Sequence, residues 1–172
     1  MGYLSFPENI MIIQGLAPTN GTNAEATSMP ISLKNIQKLW AVCSVNTAGT
    51  NAAIAIVPQT HDDVAFGAAT ILPATLHNVP RWINLDVATA ATWTHTTDGT
   101  NYTTAAVDAL AKTVIFEIVP ELIRTTATAS SDADCFRISF TTVAATDLVS
   151  VLYVFIPRYA NRVNNQVSYI AD

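Results

Sequence analysis

The sequence predicts an all-β fold: an antiparallel β-sandwich of jelly-roll type with little helix. Three observations predict it. Apolar residues alternate with period two along much of the chain. Turn-forming pairs such as Asn20-Gly21 and Asp98-Gly99 separate the alternating stretches. No long segment carries the 3.6-residue period of a helix, so a parallel α/β sheet has no support.

The alternating segments follow in order. Weak strand candidates lie at 9–16, "NIMIIQGL", and at 30–35, "PISLKN". In "KLWAVCSVNT", Leu39, Ala41, Cys43 and Val45 point one way, and Trp40, Val42, Ser44 and Asn46 the other. "TNAAIAIVPQT" places Ile54 and Ile56 on one face and is expected to end at Pro58. The stretch 59–80 is the least regular, and further weak strands fall at 81–87 and 101–107. The candidates for a short helix are 59–80, which alternatively forms an extended connection, and residues 105–111, "AAVDALA", with one or two turns at most. "KTVIFEIVPEL" sets Val114, Phe116 and Ile118 against Thr113, Ile115 and Glu117 before Pro120. A polar loop at 126–134 leads to "DCFRISFTTV", where Phe136, Ile138 and Phe140 oppose Cys135, Arg137, Ser139 and Thr141. "LVSVLYVFIP" is apolar on both faces and reads as a central strand buried on both sides, stopped by Pro157. About eight to ten short strands suit a jelly roll.

At 172 residues the chain is long enough for one well-cored domain and short for two. The expected division is an N-terminal arm with the first strand over 1–15, one sandwich over 16–160, and a C-terminal tail over 161–172. Charged residues make up only 12% of the chain, about half the usual share, and the net charge is −5. Eight basic residues, nowhere clustered, argue against nucleic acid and against an anionic membrane surface. No apolar run is long enough for a membrane helix, and "MGYLSFPENIMIIQGLAP" lacks the basic start of a secretory signal. A surface of Thr, Ala and Asn keeps monomers apart poorly and suits cover by partners.

No constellation for catalysis stands out, so no enzyme activity, catalytic residue, metal or cofactor is expected. His61 beside Asp62 and Asp63 is better read as a polar turn than as a metal site, because adjacent side chains diverge. "SSDAD" and "TTDGTN" lack the full acidic series of a calcium loop. Glu117, Glu121 and Asp86 pair only by chance as glycosidase carboxylates. Cys43 and Cys135 each lie in an apolar alternating run, where a free thiol acts as a small hydrophobe; a disulfide would require their strands to be neighbours. Trp40 and Trp82, set among apolar residues, are expected in the core or an interface, whereas Trp93, among threonines, reads as surface.

Four segments together, "NIMIIQGLAP", "ISLKNIQKLWAVCSV", "RWINLDV" and "VLYVFIPRYA", resemble small virion proteins of tailed bacteriophages. In those proteins a β-rich domain follows a short N-terminal segment and closes with an apolar strand ending in Pro-Arg-Tyr-Ala. The resemblance implies a decoration or auxiliary capsid protein, made in the host cytoplasm. It would bind the major capsid protein on the outer surface of the phage head, as a homotrimer. The expected contacts are Tyr3, Leu4, Phe6 and Pro7 before the first strand, and Arg158, Tyr159 and Arg162 after the last. Aromatics and Arg dominate interface energetics, and these lie outside the regular strands. Arg158 and Tyr159 are expected to reach a neighbouring subunit rather than to close the sandwich rim. Two alternatives remain open: a carbohydrate-binding adhesion module with Trp93, His95 and Tyr102 as its site, and a neck or tail ring component.

Overall fold

The computed structural model describes residues 9–21, 24–47, 53–61, 65, 70–71, 79–88, 92–97, 101–104, 110–126 and 134–158. In chain order the elements are β1 (Met11–Asn20), β2 (Ala24–Thr27), β3 (Ile31–Ser32), β4 (Ile36–Asn46), β5 (Ala55–His61) and β6 (Thr70–Ile71). They continue with β7 (Arg81–Asn84), β8 (Thr94–Thr96), β9 (Tyr102–Thr103), β10 (Ala111–Ile118), α1 (Pro120–Thr126), β11 (Cys135–Val143) and β12 (Leu148–Pro157). One sheet has the order β1-β12-β4-β10-β7-β8; the other runs β2-β11-β5-β6, with β3 also on β11 and β9 also on β5.

That order is a jelly roll. The chain steps back and forth between sheets: β1 in the first, β2 and β3 in the second, β4 in the first, β5 in the second. After β10 it repeats the step, β11 inserting between β2 and β5 and β12 between β1 and β4. The hairpin β7–β8 widens the first sheet beyond β10. All strand pairs named here are antiparallel.

Period two decides which side chains fill the space between the sheets. Leu39, Ala41, Cys43 and Val45 of β4, Val114, Phe116 and Ile118 of β10, and Val149, Val151, Tyr153 and Phe155 of β12 are all buried. Ile56, Phe136, Ile138 and Phe140 of the second sheet meet them in one cluster. A polar chain crosses this core. The Ile138 N–H donates to Ser28 Oγ at 2.8 Å, Ser28 Oγ lies 2.5 Å from Tyr153 Oη, and Tyr153 Oη donates to the Met29 carbonyl at 3.2 Å. Because the phenol donates to Met29, the Ser28 hydroxyl donates to the phenol, and each buried group is satisfied in turn. Gly15 leaves room for the ring: a Cβ there would sit 2.5 Å from Tyr153 Cε2.

Several expectations are corrected. β5 does not stop at Pro58 but carries it, buried, opposite Ile138 and runs on to His61. Among the described residues the outer edge of β5 is paired by β9 at Ala55 and Ile56 and by β6 at Gln59 and Thr60. Pro58 falls in the gap between them, where its missing N–H leaves no ladder bond unmade. Pro120 does end a strand region, but it also opens α1, because its fixed φ suits the first helical turn. Glu121 therefore lies in a helix and not in a strand with Glu117. Ala111, placed at the end of a candidate helix, begins β10; positions 105–109 lie outside the described residues. β12 is central in its sheet as expected, but its outer face is open, with Leu148 39% and Leu152 37% exposed. Cys43 and Cys135 are buried on different sheets and are not joined in a disulfide.

Candidate functional site

The outer face of the first sheet carries the residues that the core does not use, and strand register arranges them in rows. One row runs Ile12, Val154, Trp40, Glu117 across β1, β12, β4 and β10. The next runs Gln14, Leu152, Val42, Ile115, Trp82, His95 from β1 to β8. A third, Ser150, Ser44, Thr113 and Asn84, is polar throughout. The first two rows make an apolar band flanked by a polar one, on a face with little charge.

At the β7–β8 end the band deepens into a groove of about 290 Å3 lined by Trp40, Trp82, Trp93, Ile115 and Glu117. Each wall has a local cause. Lys38 and Trp40 are two apart on β4 and share its outer face, and Glu117 on β10 stands directly across from Trp40. The Trp40 Nε1–H donates to Glu117 Oε2 at 3.1 Å, and Lys38 Nζ pairs with Glu117 Oε1 at 2.7 Å. The same ammonium sits 5.1 Å from the Trp40 ring centroid, within cation–π range. The carboxylate thus fixes the indole edge while the lysine covers its face, and both bonds lie in a half-shielded place where ion pairs are screened less than at full exposure. Trp82 packs on His95 with centroids 4.8 Å apart and planes tilted by 37°. Trp93, one residue before β8, is 44% exposed and closes the groove.

Trp40 and Trp82 are therefore not core residues: of the two places expected for them, core or interface, the structure removes the core. Val42 and Ile115, which surround them in sequence and register, lie on the same outer face. Trp93 is at the surface as expected, and His95 is beside it. Tyr102 belongs to the second sheet, paired with Ile56, and packs against the core instead of joining the two. Lys38 and Glu117 join the site without any expectation placing them there, and Trp40 and Trp82 join it from positions expected in the core or an interface. Alternation already put Lys38 with Trp40 and Ile115 with Glu117, but only the pairing of β4 with β10 brings the two sets together.

Of the expected partner contacts, Tyr3, Leu4, Phe6, Pro7, Tyr159 and Arg162 lie outside the described residues. Arg158 is tied to its own domain: its N–H donates to the Asn35 carbonyl at 2.8 Å, and its guanidinium pairs with Glu121 at 2.9 Å. That ion pair is exposed enough to be worth little in stability. His61 ends β5 opposite Cys135, while Asp62 and Asp63 lie outside the described residues. Among the described residues no three His, Cys, Asp or Glu side chains gather as metal ligands, and no helix is long and apolar enough to cross a membrane.

No protein-family model matches the chain, and no curated protein does. Among solved structures, the SPBc2 prophage-derived protein YomS is similar at 10% identity and a TM-score of 0.40, over 90% of this chain and 99% of its own. So distant a likeness carries no argument about function.

Proposed function

We propose that this chain is a non-enzymatic structural protein of a tailed-phage virion that binds the major capsid lattice on the outside of the head, as a homotrimer, and stabilises the shell. The observation that carries the reading is the corner where β1 begins and β12 ends. Met11 is in register with Phe155, so the chain enters the sandwich and leaves it side by side. Both end segments expected to make contacts thus start from one place. Beside them runs β1, an edge strand of the first sheet, with Ile12 46% exposed on the outer face. Among the described residues this edge strand and the exposed apolar side chains of β1 and β12 (Ile12, Leu148 and Leu152) make one continuous surface for a lattice partner. The low charge and the resemblance of "RWINLDV" and "VLYVFIPRYA" to phage virion proteins support the same reading.

The mechanism is linkage. A protein that binds only the expanded lattice stabilises it by mass action, and many modest contacts on a repeating lattice sum through avidity. Mixing the purified protein with heads lacking decoration, and counting copies bound, tests this. Hundreds of copies per head with raised heat resistance are expected. A count of about six or twelve, the number a ring supplies, moves the protein to the neck or tail. Absence of binding overturns both.

A further inference from the structure

We propose that the tryptophan groove at the β7–β8 end is a second binding site, for neutral pyranose rings of a glycan, independent of the capsid contact. Three features of the groove select that chemistry. First, all three tryptophans of the chain line it, from three different strand regions. Flat indole faces match the apolar C–H faces of pyranose rings, and Trp93 is exposed enough to receive one without rearrangement of the core. Second, a hydrogen-bonding group stands among the indoles. A carboxylate has about four acceptor positions, and the Lys38 and Trp40 bonds to Glu117 use two, one on each oxygen. Sugar hydroxyls are the donors that fit the remainder, and His95 on Trp82 adds a polar group at the rim.

Third, the charge is already balanced. Lys38 lies 2.7 Å from Glu117, so the groove presents no net charge to a ligand. A cationic ligand would have to displace Lys38 from both the carboxylate and the Trp40 face, and an anionic one would meet Glu117. A neutral ligand with alternating apolar faces and hydroxyls meets neither penalty. The pairing also holds the Trp40 indole in position before binding, which lowers the ordering cost.

The test is titration of the full chain with neutral oligosaccharides: hexamers of glucose in α-1,4 and β-1,4 linkage, of galactose and of N-acetylglucosamine. Because every tryptophan is in the groove, intrinsic fluorescence and the three indole N–H resonances report on it directly. At least one hexamer should give a saturable fluorescence change and move all three indole signals. Trp93→Ala should weaken that binding by about tenfold or more, and Glu117→Gln by about tenfold, with the far-ultraviolet circular dichroism unchanged. Leu148→Ala, on the same sheet but away from the groove, should leave it intact. The cationic glucosamine hexamer should bind more weakly than its N-acetylated form. The proposal is overturned if no neutral hexamer saturates at millimolar concentration, if Trp93→Ala leaves binding unchanged, or if the cationic hexamer binds best. None of these results bears on binding to heads, so the two proposals fail separately.

Discussion

Replacing Tyr153 by Phe removes one oxygen from the middle of the sandwich, and the structure says what that oxygen does. Tyr153 is 1% exposed, and its ring meets Phe136 of the opposite sheet edge-on, with centroids 6.2 Å apart. Its hydroxyl accepts from Ser28 and donates to the Met29 carbonyl. In Tyr153→Phe the ring packing stays, but the Ser28 hydroxyl loses its buried acceptor and Met29 loses a donor. Leaving a buried polar group unpaired costs about 1–3 kcal/mol, so a loss of about 2 kcal/mol is expected. For a chain of this size that lowers Tm by about 4–8 °C. Ser28→Ala strips the same link and also leaves the Ile138 N–H unpaired, so its cost should be at least as large. The double variant should cost less than the sum, by about 1 kcal/mol, because both single changes break one shared bond. Urea unfolding followed by circular dichroism, with the m-value unchanged, measures all three. A Tyr153→Phe variant within about 0.5 kcal/mol of the parent, or strict additivity in the cycle, would refute the chain of bonds as a source of stability.

The other stability predictions concern a close approach and a buried acid. At Gly21 a Cβ would lie 1.8 Å from the Val143 carbonyl oxygen, a backbone atom that cannot swing aside, so Gly21→Ala should cost about 3 kcal/mol and a parent-like Tm would contradict it. Burial pushes the Cys43 thiol above its ordinary value of 9.0 and, chiefly, the Tyr153 phenol above 10.0. The unfolded chain therefore loses these protons first, the difference in bound protons turns negative, and stability should fall as pH rises beyond about 9, by up to about 1.4 kcal/mol per pH unit per group. Chemical unfolding between neutral pH and pH 11 checks this, and Cys43→Ala should make the early part of the decline shallower; an unchanged slope would remove Cys43 from the account.

Much of the fold is legible in the sequence because a half-buried strand announces itself by period two. Leu39 to Val45, Val114 to Ile118 and Val149 to Phe155 alternate in the sequence as they do in the core. The prolines were misleading for a physical reason: Pro58 and Pro120 both lack an N–H, yet one sits in a gap between partners and the other starts a helix. Only tertiary context separates these from a strand end. The groove was less legible still. Trp40 next to Val42 looks like core, and the outer face of β12 is as apolar as the inner one, so hydrophobicity alone could not tell covered from uncovered. The choice is made by registers that no local pattern reveals: Trp40 against Glu117, Ile115 against Trp82. Asn20-Gly21 has a similar lesson, since its glycine answers to the close approach of the Val143 backbone and not to a left-handed turn.

The two proposed surfaces share one sheet face: the lattice contact is centred on β1, and the groove runs from Trp40 on β4 to Trp93 before β8. From β1, where Ile12 is exposed, to β7, where Trp82 lines the groove, the path crosses β12, β4 and β10. Four steps at about 4.8 Å put β1 and β7 about 19 Å apart, with Trp40 two steps from β1, and sheet twist turns the far wall away from the β1 corner. A lattice partner seated on the β1 corner would therefore leave the β7–β8 edge facing outward. The neutral Lys38–Glu117 pair in the middle of the band fits that division, because it gives a partially covered face hydrogen-bonding capacity without an unpaired charge to bury. Were the whole face instead buried by a partner, Glu117 and Lys38 would both be desolvated, which favours a ligand that reaches the groove from solvent over a protein that covers it.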